Sequence, residues 1–170
     1  MVVYGGVSPE HEVAIITAVQ AMNALKKEGF DVLPVYISKE GNWYKGDNRF
    51  LDFNFYKNLD KVVTSGKSFV LPANRNTHPL IKNWLGFSPA EEEVDVVFPI
   101  FHGQNGEDGT IQGLLELSNL PYVGGGVLTG SAGMDKFVTK RIAESIGVNV
   151  VKDFLLIRGT LDKKEAMTSA

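Results

Sequence analysis

Val2-Val3-Tyr4-Gly5-Gly6-Val7-Ser8-Pro9-Glu10-His11-Glu12-Val13 runs from a short apolar strand, through a glycine pair, into the start of a helix. Ser8 can cap that helix, and Pro9 suits its first position, where the missing amide hydrogen would be unpaired anyway. Downstream, Ile15, Ala18, Val19, Met22 and Leu25 recur at the i, i+3, i+4, i+7 spacing of a helix with one buried face. Gly29, following Lys26, Lys27 and Glu28, is a natural stop. Val32 to Ile37 then forms a second strand, so the chain opens with a β-α-β unit.

Outward from that unit the pattern is first weak and then strong again. Residues 38–93 offer only fragments. An antiparallel excursion is expected around Gly41-Asn42-Trp43-Tyr44-Lys45-Gly46, with its Trp and Tyr as packing residues. Ser68 to Leu71 is expected as a short strand, and Thr77-His78-Pro79 and Phe87-Ser88-Pro89 as loops. Val94 to Phe101 is a nearly continuous apolar run, suited to a strand covered on both faces, with Pro99 expected near its end. A glycine-rich loop, His102 to Gly109, leads into a helix over about Thr110–Asn119 with Ile111, Leu114 and Leu115 inward, then a short strand, Pro121-Tyr122-Val123. Gly124-Gly125-Gly126 marks a boundary between a domain over 1–123 and a segment over 124–170. In that segment Met134, Phe137, Val138, Ile142 and Ile146 form a second helical face, Gly147 stops it, Phe154 to Ile157 is a strand and Leu161 starts another helix. Alternating strands and helices predict an α/β fold with a mostly parallel sheet. One helix, one strand and a helix start cannot close a core, so residues 124–170 are expected to be the beginning of a second domain.

Composition narrows the function classes. The 170 residues carry 17 Lys+Arg and 20 Asp+Glu, a net charge of −3 and a pI of about 5.6, which leaves no electrostatic footprint for nucleic acid. Nothing approaches the ~18 consecutive apolar residues of a membrane span. The amino end shows neither the basic start nor the cleavage site of a secretory signal. Zero Cys removes disulfides, thiolate zinc sites and a Cys nucleophile, and fits a cytoplasmic protein.

Ligands of open parallel sheets bind beyond the carboxyl ends of the strands. Two loops satisfy that rule: Gly5 to Glu12, which puts Glu10, His11 and Glu12 at the start of a helix, and His102 to Gly109, which puts His102 at a strand end. If their strands are parallel neighbours, Glu10 and His102 open onto one crevice, where a carboxylate and an imidazole can hold the ammonium and carboxylate of a small zwitterion. Glu12 complements the helix dipole. Glu107 and Asp108 are caps or loop organisers, and His78 is a loop residue. Gly125 to Gly130 has the spacing that opens a P-loop, but Ser131-Ala132 stands where Lys-Ser/Thr is required. Gly124-x-Gly126-x-x-Thr129 lacks the third glycine of a dinucleotide fingerprint. Lys136 is either a phosphate contact or a surface lysine.

At these residues the sequence resembles the D-alanine–D-alanine ligase family of ATP-grasp enzymes. His102-Gly-Gln-Asn-Gly-Glu-Asp-Gly-Thr-Ile-Gln-Gly113 matches one family signature, Gly5-Gly-Val-Ser-Pro-Glu-His-Glu-Val13 a second, and Leu120-Pro-Tyr-Val-Gly with Met134-Asp-Lys136 a third. The resemblance implies a Rossmann-like, pre-ATP-grasp amino-terminal domain over 1–123 that binds substrate, followed by the truncated start of an ATP-grasp central domain over 124–170. It implies ATP-dependent joining of two D-alanines through D-alanyl phosphate, for peptidoglycan precursors, in the cytoplasm. Glu10 would orient the ammonium of the first D-alanine, Val13 would line that subsite, and His102 with Gly103 would face the substrate carboxylate or acylphosphate region. Lys136 would contact nucleotide phosphate. ATP and Mg²⁺ are implied, with the metal ligands outside this chain, and so is a homodimer.

Ala14 departs from the Ser found in many members after Glu-Val, and the first strand looks clipped at its start. The remaining lysines, the arginine and the Mg²⁺ carboxylates of the family are expected past Ala170, so this polypeptide alone is expected not to ligate D-alanine. Ligases that join D-alanine to D-lactate or D-serine remain alternatives, since the residues choosing the second substrate also lie past Ala170. A non-catalytic α/β binding or dimerisation module is the alternative of another class.

Overall fold

Gly5 turns the chain sharply off the first strand. Its φ is +92°, and a Cβ there would stand 2.3 Å from the Ile37 carbonyl oxygen, so only glycine fits. A computed structural model describes residues 1–74, 79–83, 86–89, 93–153 and 155. In it β1 (Val2–Gly5) leads through helix α1 (His11–Lys27) to β2 (Pro34–Ile37), and β1 and β2 pair in parallel with Val3 opposite Val35.

Residues 38–93 extend the sheet on the far side of β2. There β3 (Trp43–Lys45), the short helix α2 (Leu59–Ser65), β4 (Lys67–Val70), β5 (Leu80–Asn83) and β6 (Gly86–Pro89) follow in turn, each new strand antiparallel to the one before. On the other side of β1 lies β7 (Phe98–Ile100), again parallel, with Tyr4 opposite Ile100. The order is β6-β5-β4-β3-β2-β1-β7, so the parallel arrangement expected from the sequence occupies β2-β1-β7 and the antiparallel strands lie beyond it.

β1 and β2 are buried on both faces and β7 partly so, which explains their apolar runs. Successive side chains alternate across the sheet. Val2 and Tyr4 join Ile15, Ala18 and Met22 of α1 with Tyr36, Phe50 and Tyr56 on one face. Val3, Val35 and Ile37 meet Val97 and the Ile111 and Leu115 side chains of α3 (Thr110–Leu117) on the other.

Several local expectations need correction. The helix after the glycine pair begins at His11 rather than at Pro9, because the Ser8 carbonyl closes a turn with the His11 amide at 3.2 Å. Pro99 sits in the middle of β7, not near its end. The Phe98 amide points to the Met1 carbonyl and the Val97 amide to Pro121, so by alternation the hydrogen-less Pro99 nitrogen faces away from β1 and costs no bond to it. Phe87-Ser88-Pro89 is strand rather than loop, and its proline is tolerated because β6 is an edge strand. Pro121-Tyr122-Val123 contributes a single parallel bridge, Val97 to Tyr122.

The second helical face is split between α4 (Val127–Met134) and α5 (Lys136–Ser145). Extended Asp135 separates them, and its carboxylate caps α5 by accepting the Phe137 and Val138 amides at 2.9 and 3.0 Å. Met134, Val138, Ile142 and Ile146 are exposed. Thr77 and His78, Phe154, and the helix expected from Leu161 lie outside the described residues, as does most of the 154–157 strand.

Candidate functional site

The condition set by the sequence is met: β1 and β7 are parallel neighbours, so the Gly5–Glu10 turn and the His102 loop leave the sheet side by side at its carboxyl edge. Ser8 stitches them together. Its hydroxyl donates to the His102 carbonyl at 2.7 Å and accepts from the Glu10 amide at 3.1 Å. A Cβ on Gly103 would lie 3.5 Å from Glu10 Oε2 and 3.4 Å from Ser8 Oγ, so the Glu10 carboxylate stands over the backbone that follows His102. Glu10 is exposed, His102 and Gly103 are half-buried, and Val13 lies exposed one turn along α1 from Glu10.

Thr17 completes this arrangement. Its hydroxyl donates to the Val13 carbonyl at 3.0 Å, which leaves its oxygen to accept from His102 Nε2 at 3.2 Å. That contact fixes the ring plane and places the ring proton on Nε2, so Nδ1 is the acceptor in the neutral ring. Sequence reasoning missed Thr17, although its spacing of seven from Glu10 puts both on one helix face.

Beneath the turn lies a second residue the sequence reading did not single out. His11 is fully buried, with Nδ1 donating to the Gly6 carbonyl at 2.7 Å and Nε2 accepting from the Tyr36 hydroxyl at 3.0 Å. Burial, with Glu40 and Glu12 nearby, pushes the Tyr36 phenol well above its ordinary range, so it remains a donor. The signal was present: His11 precedes Ile15 by four residues and shares its core-facing stripe.

The glycine loop is held by its own acids, as expected. Glu107 Oε2 accepts from the Gly103 amide at 2.6 Å, and Asp108 accepts from the Asn105 and Thr110 amides at 2.8 and 3.0 Å. Partial burial works against the charge on Asp108, yet the Thr110 and Asn105 hydrogen bonds outweigh it and hold the carboxyl below the usual range. Gln112 reaches back to the Gly106 carbonyl through Nε2 at 3.1 Å, leaving Oε1 buried without a partner. Glu12 is exposed and pairs with Lys39, whose hydrogen bond lowers its carboxyl pKa.

Lys136 stands apart from this cluster. It is the first residue of α5, exposed, and no contact among the described residues joins it to Glu10 or His102. Asp135 already occupies the first amides of α5, so an anion there would be met by the Lys136 ammonium rather than by the helix end. Among the described residues no three His, Asp or Glu side chains converge to hold a metal ion. One cleft, about 910 Å³, opens at the amino ends of β1, β2 and β7 with lysines and acids intermixed. A smaller one, about 310 Å³, adjoins the carboxyl end of β7 and is lined by Phe101, Gly106, Glu107, Gln112, Gly125 and Gly130. We place the candidate site at the carboxyl edge because the convergent polar groups are there. No helix among the described residues is long and apolar enough to cross a membrane.

Known proteins resemble this chain in sequence and fold. A D-alanine–D-alanine ligase of Geobacillus kaustophilus is 44% identical over 151 residues, covering 89% of this chain and 40% of the relative. The solved D-Ala:D-Ser ligase VanG of Enterococcus faecalis superposes with a TM-score of 0.80 at 29% identity, over 99% of this chain and 47% of that one. The D-alanine-D-alanine ligase of Coxiella burnetii gives 0.72 at 33% identity, over 89% and 42%. The chain thus spans about two fifths of the length of the curated relative. The family model described as D-ala D-ala ligase N-terminus matches residues 1–125, and the chain belongs to that family.

Proposed function

We propose that this chain is the amino-terminal, first-substrate-binding portion of an ATP-dependent ligase that joins D-alanine to D-alanine for peptidoglycan precursors in the cytoplasm. The observation that carries the reading is the stitch through Ser8, which holds the Glu10 carboxylate and His102 at one strand edge. Residues 1–123 form the substrate domain and 124–170 begin the central domain. The Glu10 carboxylate pairs with the ammonium of the first D-alanine, and the α1 face carrying Val13 receives its methyl group. His102, its ring held by Thr17, stands beside the substrate carboxylate, and Gly103 keeps the approach open. ATP would supply the phosphoryl group that activates that carboxylate. Of this chain's residues only Lys136 is assigned to the nucleotide, since stabilising a transferring phosphoryl group needs cations. A homodimer is part of the same reading.

The test uses the full-length protein that carries this chain. Glu10→Gln keeps the size of the side chain and removes the charge. It is expected to raise the KM for the first D-alanine by about 10- to 100-fold, since a charged hydrogen bond contributes ~1.5–3 kcal/mol. Unchanged kinetics would remove the assigned role. Product analysis with D-alanine and D-serine as second substrate separates this reading from that of a D-alanine–D-serine ligase.

A further inference from the structure

We infer that Gly130 is a positioning residue for the Glu10–His102 crevice: its missing side chain lets α4 seat directly on the His102–Gly109 loop and so sets where His102 stands. The inference rests on the proposed function for its catalytic consequence, but its geometry stands independently.

The joint is made of backbone against backbone. A Cβ on Gly130 would lie 2.7 Å from the Gly109 amide nitrogen and 3.1 Å from the Glu107 carbonyl oxygen. Reciprocally, a Cβ on Gly109 would lie 2.7 Å from the Val127 carbonyl oxygen, and Gly109 holds φ at +91°. Neither obstacle is a flexible side chain that can swing aside, so a methyl group at Gly130 must push the helix and the loop apart. The loop cannot absorb the push locally. Glu107 is tied through its side chain to the Gly103 amide, Asp108 to the Asn105 and Thr110 amides, and Gln112 to the Gly106 carbonyl. His102 precedes Gly103 directly and is held at its carbonyl by Ser8 and at its ring by Thr17. Displacement at residues 107–109 therefore reaches the imidazole and the backbone beside the Glu10 carboxylate. The same helix carries an internal control, because a Cβ on Gly133 would meet nothing within 4 Å. Since Ala is the better helix former, helix propensity alone favours both substitutions equally.

The experiment compares Gly130→Ala with Gly133→Ala in the full-length protein, reading the ¹⁵N and ¹H signals of the His102 ring, assigned through a His102→Gln variant, together with D-alanine kinetics. Gly130→Ala is expected to shift the His102 signals and to lower kcat/KM for D-alanine by about 10- to 100-fold, the scale of a misplacement near 1 Å. Gly133→Ala is expected to change neither. Val127→Ala perturbs the same joint by removing bulk, so a poorly folding Gly130→Ala leaves a second reading of the same His102 signals. Unmoved His102 signals in both joint variants, or equal effects of Gly130→Ala and Gly133→Ala, overturn the inference. Absence of D-alanine turnover in the unsubstituted protein overturns the ligase reading instead, and the His102 signals then decide the positioning role alone.

Discussion

Replacing Ser8 isolates the contact on which the crevice depends. Its hydroxyl makes two hydrogen bonds, 2.7 Å to the His102 carbonyl and 3.1 Å from the Glu10 amide. A hydrogen bond contributes ~0.5–1.5 kcal/mol net. The bond to Glu10 is exposed and that to His102 half-buried, so the sum for Ser8→Ala is about 1–2 kcal/mol, roughly 5- to 30-fold in an equilibrium constant. That is the expected loss in urea-unfolding free energy, and it is also the upper limit for weakened D-alanine binding if Glu10 and His102 separate. A second variant distinguishes the stitch from ordinary helix capping. Aspartate caps at least as well as serine. As a carboxylate, however, it can accept from the Glu10 amide but cannot donate to the His102 carbonyl, and it adds a negative charge beside Glu10. Ser8→Asp should therefore be no better than Ser8→Ala in both assays. If Ser8→Asp matches the unsubstituted chain, capping is all that Ser8 does and the stitch is refuted.

Two further outcomes follow from the geometry. His11→Leu strips a partner from both the Gly6 carbonyl and the Tyr36 hydroxyl, each leaving a buried group unpaired at ~1–3 kcal/mol, so about 2–6 kcal/mol is expected in urea unfolding, against half of that for Tyr36→Phe. Equal losses in the two variants would contradict the role given to the Gly6 bond. Asp108 has a depressed carboxyl pKa in the folded chain, so its contribution is fully present above the unfolded value of ~3.9 and fades as pH falls through the folded one. The urea midpoint should drop less between neutral and acid pH in Asp108→Asn than in the unsubstituted chain, and an identical drop would contradict the loop-anchoring role.

The β-α-β opening was legible because Ile15, Ala18, Val19 and Met22 repeat at helical spacing and all four are buried. That the Glu10 and His102 loops meet was legible because both follow strands whose carboxyl ends lie at one sheet edge. The helix α4 was not. Its Gly130 and Gly133 are poor helix formers, and the glycines from Gly124 onward suggested a loop to be tested for phosphate binding. What they supply instead is close approach, a property that only the neighbouring chain reveals. Likewise β5 and β6 are four residues each, with Pro89 at the end of an edge strand, too short for periodicity to register. His11 went unremarked because flanking glutamates made its segment look solvent-facing.

The two faces of the central sheet are completed by parts of the chain far apart in sequence. One face closes over Val2, Tyr4 and Tyr36 mostly with residues up to Val62, joined later by Ile100, whereas Val3, Val35 and Ile37 meet Phe69 and then wait for Val97, Ile111 and Leu115. During synthesis the second set emerges roughly 80 residues after Ile37, an interval of about 4–16 s at ~5–20 residues per second. Through that interval the nascent chain holds a half-clad sheet with one bare apolar side. That side is where chaperones would engage the growing polypeptide, and where slowed translation would promote aggregation.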